Sequence, residues 1–303
     1  MVDRHVAALI DLPEAPPSLE ASIRLCQDLT RSHYENFTVA SRLVPRGLRA
    51  PLATIYAFCR TVDDVGDEAP GDRRALLDRF ESELDAAYGG VPRHPVLVAL
   101  KEAIERFDLP RDLFLRLIEA NRMDQEVHRY ETFSQLLHYC HHSATPVGRL
   151  VLRLYGYRDE ERSTLSDATC TALQLTNFWQ DVRRDLEDNG RLYLPHEDMA
   201  RFGVSEADLS APQATEPLRA LLRLEVERTR GLFEEGLGLL QAVRGRLRIT
   251  LSLFSYGGLA ILDRIESQGY DTLAARPTVS KADKRRILLL SLFSEGRRRW
   301  IGR

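Results

Sequence analysis

Cysteine is scarce and scattered in this chain. Four residues, Cys26, Cys59, Cys140 and Cys170, are spread over 303 positions. No two stand at a CxxC spacing, so neither a zinc ribbon nor a redox pair is written into the sequence. Reduced thiols in a cytosolic protein are the expectation under the usual compartment rule. Long apolar runs are also missing. The N-terminal stretch MVDRHVAALIDLPEAPP has no apolar core of the signal-peptide kind. The run from Ile287 to Phe293, interrupted by Ser291, falls far short of the roughly 20 residues that span a bilayer. The net charge of −3 gives no global reason to expect a nucleic-acid partner. No Gly-rich phosphate loop precedes a helix, which argues against a P-loop or dinucleotide fold. A G-x-S-x-G elbow or other nucleophile motif is absent as well.

What remains is ordinary soluble composition, 44% apolar and 29% charged, organised almost everywhere with helical periodicity and nowhere with sustained period-two alternation. The pattern predicts helices over about 19–31, 47–66, 72–88, 95–107, 111–128, 133–142, 146–155, 159–187, 217–243, 247–268 and 280–300. Pro16-Pro17, Pro45, Gly89-Gly90, Pro110, Gly156 and Gly190 fall where helices should break. The stretch 188–216, with Pro195, Gly203 and Pro212, reads as one long irregular segment, and such segments are often functional. No linker divides the chain. The expectation is an N-terminal extension over 1–18 and one all-α domain over 19–303.

Two acidic clusters stand out. Asp63-Asp64-Val65-Gly66-Asp67 is the first, and Asn177-Phe178-Trp179-Gln180-Asp181-Val182-Arg183-Arg184-Asp185 is the second. Each sets carboxylates four residues apart in an otherwise apolar helical segment, one above the other on a helix. Two charges about 6 Å apart repel by roughly 3 kcal/mol at an effective dielectric of 20, and by less than about 1 kcal/mol in water. On a wet face the spacing is cheap; in a buried helix it calls for a cation. At 100° per residue, Tyr56, Arg60, Asp63 and Asp67 fall within about 60° of one another, with Asp64 on the flank. Gln174, Asn177, Asp181, Arg184 and Asp185 share a similar stripe on the second helix. A polar stripe alone is usually a solvated face, but two with matching spacing point elsewhere. Magnesium takes hard oxygen ligands, using one or two carboxylates plus substrate phosphate oxygens. Carboxylates on two helices could therefore hold magnesium that bridges to a diphosphate, with Arg60, Arg184 and Arg191 adding charge-assisted hydrogen bonds. Departure of the diphosphate would leave a carbocation, which an apolar, aromatic pocket would shelter from water. His138, His141 and His142 also lie at helical spacing, but without a further ligand or an HExxH pattern zinc is not supported.

The stretch from Tyr56 to Glu68, YAFCRTVDDVGDE, resembles the first aspartate motif of squalene and phytoene synthases. The stretch from Gln174 to Asp185, QLTNFWQDVRRD, resembles the second, and Gly190-Arg191-Leu192-Tyr193-Leu194-Pro195 resembles the loop that follows it. His33-Tyr34-Glu35-Asn36-Phe37-Thr38-Val39-Ala40-Ser41 and Asn177-Phe178-Trp179-Gln180-Asp181 are most similar to the bacterial hydroxysqualene synthases of hopanoid pathways.

The resemblance implies an all-α isoprenoid synthase bundle around a central cavity. It implies magnesium (two or three ions with the diphosphate) held by Asp63, Asp67, Asp181 and Asp185, with Asp64 and Asn177 assisting. His33, Arg60, Gln174, Arg184 and Arg191 would contact the diphosphate, while Tyr56 and Tyr139 line the cavity. The implied reaction ionises presqualene diphosphate, rearranges the cation and captures water to give hydroxysqualene, without NADPH. One departure supports that branch. In Tyr139-Cys140-His141-His142-Ser143-Ala144, His142 stands where full squalene synthases carry a tyrosine implicated in joining two farnesyl diphosphates. His142 could orient the water, accept its proton, or simply pack. Head-to-head condensation to presqualene diphosphate, squalene or phytoene is the nearest alternative; a terpene cyclase or a non-catalytic helical scaffold is more distant. Residues 281–303 carry eight Lys or Arg against two acids. That tail suggests either peripheral membrane contact, with pathway enzymes as neighbours, or an ordinary helix end whose cations suit its dipole.

Overall fold

A computed structural model describes residues 4–33 and 43–292, apart from the side chains of Arg4, Ser32, His33 and Leu292. The structure is all-α. In chain order the helices are α1 Arg4–Ile10, α2 Leu19–His33, α3 Arg46–Asp67, α4 Arg73–Gly89, α5 Pro95–Phe107, α6 Arg111–Glu126, α7 Phe133–Ser143 and α8 Thr145–Leu154. They continue with α9 Glu160–Gln180, α10 Val182–Asn189, α11 His196–Phe202, α12 Glu206–Leu209, α13 Glu216–Gly236, α14 Leu239–Ala242, α15 Gly245–Ser267 and α16 Lys281–Leu292. Among the described residues the only β pairing is one isolated parallel bridge between Arg129 and Leu192.

Local chemistry sets many of these ends. Asp72, Thr132 and Thr215 each accept a hydrogen bond from a first-turn backbone N–H, of Ala75, Gln135 and Leu218 respectively. Gly190 and Gly203 end α10 and α11 in the left-handed conformation, where a Cβ is penalised.

The residues fall into two compact units that interleave in sequence. One contains residues 1–126 and 146–159; the other contains 127–145 and 160–303. In the first unit, α3 packs against α2, α5 and α6. Phe58 of α3 lies between Phe80 of α4 and Phe114 of α6, with ring centroids 5.2 and 4.9 Å away. The short α1 joins this core by burying Val6 and Leu9, and Arg79 caps its C-terminus by donating to the Leu9 and Ile10 carbonyls. In the second unit, α9 packs along α13 and against α15. The wholly buried Trp179 donates from Nε1 to Thr229 Oγ1 at 2.8 Å. A Cβ on Gly236 would collide with Thr169, so glycine permits the close α9–α13 approach.

Four departures from the periodicity reading have physical causes. The 159–187 helix divides, because Asp181 adopts φ −113°, ψ 19°. Bonds on both sides of the joint tie it to the segment after α15: Gln180 donates to the Pro277 carbonyl and Arg276 pairs with Asp181. The 217–243 helix breaks near Gly236 and Gly238, which are poor helix formers and are held by close packing against Thr169 and Leu165. The stretch 188–216 is not wholly irregular: it contains α11 and α12, the latter opened by a capping box of Ser205 and Asp208. Residues 4–10 form α1, a helix too short for its periodicity to announce it.

Candidate active site

In the first unit, the end of α3 carries a sorted set of carboxylates. Asp63 and Asp67 lie on the solvent-accessible side, whereas Asp64 is turned inward and 3% exposed. Both Asp64 oxygens are engaged: Oδ1 by Arg60 Nη2 at 2.5 Å and Oδ2 by His5 Nε2 at 2.6 Å. Arg60 is thus committed at one nitrogen, while its Nε is buried with no protein hydrogen-bond partner. Asn121, on α6, donates to Asp63 Oδ1 at 3.2 Å. Gln125, one turn later, donates to the Gly66 carbonyl at 3.0 Å. The Asp63 carboxyl can be reached by water but is closely surrounded by protein. That desolvation, reinforced by the charges of Asp67 and Asp64 and opposed by Asn121 and Arg60, pushes its pKa up to about 6. Tyr56, half-buried one turn before Arg60, has its phenol pKa raised, mainly by burial.

In the second unit, Gln174 is half-buried, Asn177 is exposed and Asp181 and Asp185 are half-buried. The helix joint separates Asp181 and Asp185 from Asn177 in regular helix, yet the Asp181 N–H still donates to the Asn177 carbonyl and the Asp185 N–H to the Asp181 carbonyl. Asp185 is raised to about 7 by burial first and by Asp181 second, with Arg184 and Arg191 acting against them. Arg276 grips Asp181 with two nitrogens, at 2.5 and 2.7 Å. Arg184 points to the surface, where it pairs with Asp188 at 3.3 Å.

The loop from Gly190 to Pro195 is pinned along its length. Arg129 donates to the Gly190 carbonyl at 2.6 Å, the Leu192 N–H donates to the His128 carbonyl, and the His196 N–H donates to the Tyr130 carbonyl. This registration stacks Tyr193 on Phe178, with centroids 3.7 Å apart and planes 9° from parallel. Tyr139 and Tyr130 complete an aromatic cluster, each with its ring 5.8 Å from Tyr193. His142, three residues beyond Tyr139, donates from Nδ1 to the His138 carbonyl at 2.9 Å, which leaves Nε2 as the acceptor of the neutral ring.

The structure thus groups Tyr56, Arg60, Asp63, Asp64 and Asp67 on α3, and Gln174, Asn177, Asp181, Asp185, Arg191, Tyr139 and His142 within the second unit. The side chain of His33 and the stretch from Tyr34 to Ser41 lie outside the described residues. His5, Asn121, Gln125 and Arg276 were not singled out by sequence. None belongs to an acidic stripe, and each reaches its partner from a segment distant in sequence.

In each unit, taken by itself, the donor set suits a hard divalent cation. It consists of carboxylate and amide oxygens, and the raised pKa values of Asp63 and Asp185 mark desolvated negative charge that a cation would relieve. Among the described residues no group of three or more His, Cys, Asp or Glu side chains is arranged to hold a metal ion by itself.

The squalene/phytoene synthase family matches residues 30–283, and the chain belongs to that family. Phytoene synthase of Thermus thermophilus is 34% identical over 283 residues, covering 93% of this chain and 96% of that protein. Phytoene synthase of Arthrospira platensis is 32% identical over 287 residues, covering 87% of this chain and 90% of its own length. Among solved structures, squalene synthase HpnC from Alicyclobacillus acidocaldarius is 49% identical with a TM-score of 0.80, covering 87% of this chain and 98% of that one. A dehydrosqualene synthase in complex with ligand is 27% identical with a TM-score of 0.82, over 90% of this chain and 96% of that one. The protein is an isoprenoid synthase by family.

Proposed function

We propose that this enzyme ionises presqualene diphosphate and hands the rearranged cation to water, releasing hydroxysqualene and diphosphate. The observation that carries this reading is the 49% identity to a squalene synthase over nearly all of that protein, set beside histidine, not tyrosine, at position 142. The Asp63 and Asp67 carboxylates, with Asn177, Asp181 and Asp185, are the proposed ligands of magnesium, which would screen the diphosphate and stabilise it as a leaving group. Arg60, Gln174 and Arg191 contact the diphosphate oxygens in this reading, as does His33. Asp64 acts by holding Arg60, and Arg184 stays with Asp188. Tyr56 lines the substrate pocket. The rings of Phe178, Tyr193, Tyr139 and Tyr130 offer π-faces to the carbocation. Water adds to that cation and loses one proton, for which His142 Nε2 is the proposed acceptor; no hydride donor takes part.

Head-to-head condensation of farnesyl or geranylgeranyl diphosphate is the second reading, favoured by the phytoene synthases at 32–34% identity. Product analysis separates the two. Purified protein with magnesium is offered presqualene, farnesyl or geranylgeranyl diphosphate, each with and without NADPH. The expected product is hydroxysqualene from presqualene diphosphate alone. Squalene formed only with NADPH rules out water capture, phytoene identifies the condensation reading, and no diphosphate release at all indicates a scaffold.

Peripheral membrane contact is part of the same proposal. No described helix is long and apolar enough to cross a membrane. However, α16 exposes Leu288 and Leu289 beside Lys284 and Arg285. Flotation with anionic vesicles, lost in a Leu288→Glu/Leu289→Glu variant, is the expected result.

A further inference from the structure

Four buried polar residues run in series behind the first acidic motif. Glu83 Oε2 accepts from the backbone N–H groups of Arg93 and His94, at 2.6 and 2.8 Å. His94 Nε2 donates to the His5 carbonyl at 2.9 Å. His5 Nε2 reaches Asp64 Oδ2 at 2.6 Å, and Asp64 Oδ1 holds Arg60 Nη2 at 2.5 Å. Carbonyl and carboxylate oxygens only accept, so both histidines present N–H at Nε2. His5 and His94 are fully buried. The series therefore begins at Glu83 on α4, passes through the turn before α5 and then α1, and ends at a guanidinium that is 31% exposed.

We propose that His5, on the N-terminal helix, is a positioning residue for the reaction: it fixes the Asp64 carboxylate, which in turn fixes Arg60 for diphosphate. The inference rests on the diphosphate reading above. The geometry gives His5 a specific task. An Asp64 carboxylate held only by Arg60 would keep one oxygen buried and unsatisfied, and a buried acceptor without a partner is costly. It would turn to find a donor, and Arg60 would turn with it. With His5 on one oxygen and Arg60 on the other, neither can rotate. The same arrangement explains the sorting of three neighbouring acids: Asp64 is drawn inward, leaving Asp63 and Asp67 on the accessible side.

The test measures pyrophosphate binding in the presence of magnesium by calorimetry, kcat and KM for diphosphate release, and thermal unfolding, all on the full chain. His5→Phe keeps a ring but loses the donor, whereas His5→Gln can keep an N–H near Nε2. His5→Phe is expected to weaken pyrophosphate binding and kcat/KM by about 10–100-fold, the usual range when a supporting partner is lost. His5→Gln is expected to recover most of that loss, and Asp64→Asn to reproduce it. In the double variant, His5→Phe is expected to add nothing to Asp64→Asn, because both act through one contact. A merely structural role predicts something different: a lower melting temperature with wild-type pyrophosphate affinity well below it. That result overturns the proposal, as do additive losses in the double variant. Should His5→Phe fail to fold, wild-type affinity in Asp64→Asn overturns it equally. Wild-type protein that binds no pyrophosphate with magnesium removes the diphosphate reading itself, and this inference with it. Normal wild-type binding that His5→Phe leaves unchanged removes only the inference.

Discussion

Gly66 has no side chain because Asn121 occupies the space one would need; a Cβ there would collide with the Asn121 amide. The same amide donates to Asp63, so the glycine and the carboxylate share one neighbour. Gly66→Ala is expected to cost about 1–3 kcal/mol, as overpacking usually does, and to displace the Asp63 hydrogen bond. Denaturant unfolding together with turnover checks it, and a variant as stable and active as wild type removes the close-packing account. Asp63→Asn and Asp181→Asn address the acids directly. Each removes a charge with little change of shape, and under the proposed metal role each is expected to lower turnover at least ~100-fold, beyond the roughly 10–100-fold typical of losing a residue that only supports a ligand. Unchanged turnover in both takes these residues out of the site. At this scale the sequence was most informative about the acids themselves, because spacing along one helix is local information. It could not reveal that Asp64 faces inward or that Asn121 reaches Asp63. Those facts depend on α1 and α6 arriving beside α3, and no local pattern encodes such encounters.

Most helices were legible because their apolar positions recur at the helical period and their ends carry Asp, Thr, Pro or Gly. The joint at Asp181 was not. Residues 174–187 have no Gly or Pro, and the break coincides with contacts from the Arg276-Pro277 segment, distant in sequence. Arg276 also holds both Asp181 oxygens in two-point contact, so under the proposed reading a magnesium ion at Asp181 would compete with it. Removing that competitor by Arg276→Met is expected to tighten magnesium binding in the absence of substrate by about fivefold, the equivalent of the ~1 kcal/mol that a part-exposed ion pair contributes. Calorimetric titration with magnesium alone measures it. Equal or weaker binding in the variant rules out the competition.

For the whole molecule, the all-α class followed from the absence of strand periodicity, whereas the membership of each unit did not, since it depends on contacts distant in sequence. His94 supplies a proton-linked property of the fold. Burial lowers its pKa to about 4 from an ordinary 6.5, with the His5 carbonyl working the other way. Between these values the unfolded chain binds a proton that the folded protein refuses. The His94 contribution to stability is therefore intact above about pH 6.5 and is lost as pH falls toward 4, with a limiting slope near 1.4 kcal/mol per pH unit. His94→Gln can keep a donor for the His5 carbonyl but cannot titrate. Unfolding free energies at pH 7 and pH 5 should therefore fall less in the variant than in wild type. Equal falls exclude His94 as the source.

The order in which the two units claim the chain has a consequence for biosynthesis. Residues 127–145, including α7 with Tyr139 and His142, are an excursion: the chain leaves the first unit, serves the second, and returns over 146–159 before leaving again. The first unit cannot acquire its last segment until after Tyr139 and His142 have been translated, and at that moment Phe178 and Tyr193, ring neighbours of Tyr139, do not yet exist as polypeptide. A growing chain must therefore carry α7 without Tyr193, the ring that completes its cluster, for some fifty residues of elongation, about 3–10 s at typical synthesis rates. Nor can one cut of the backbone free either unit whole.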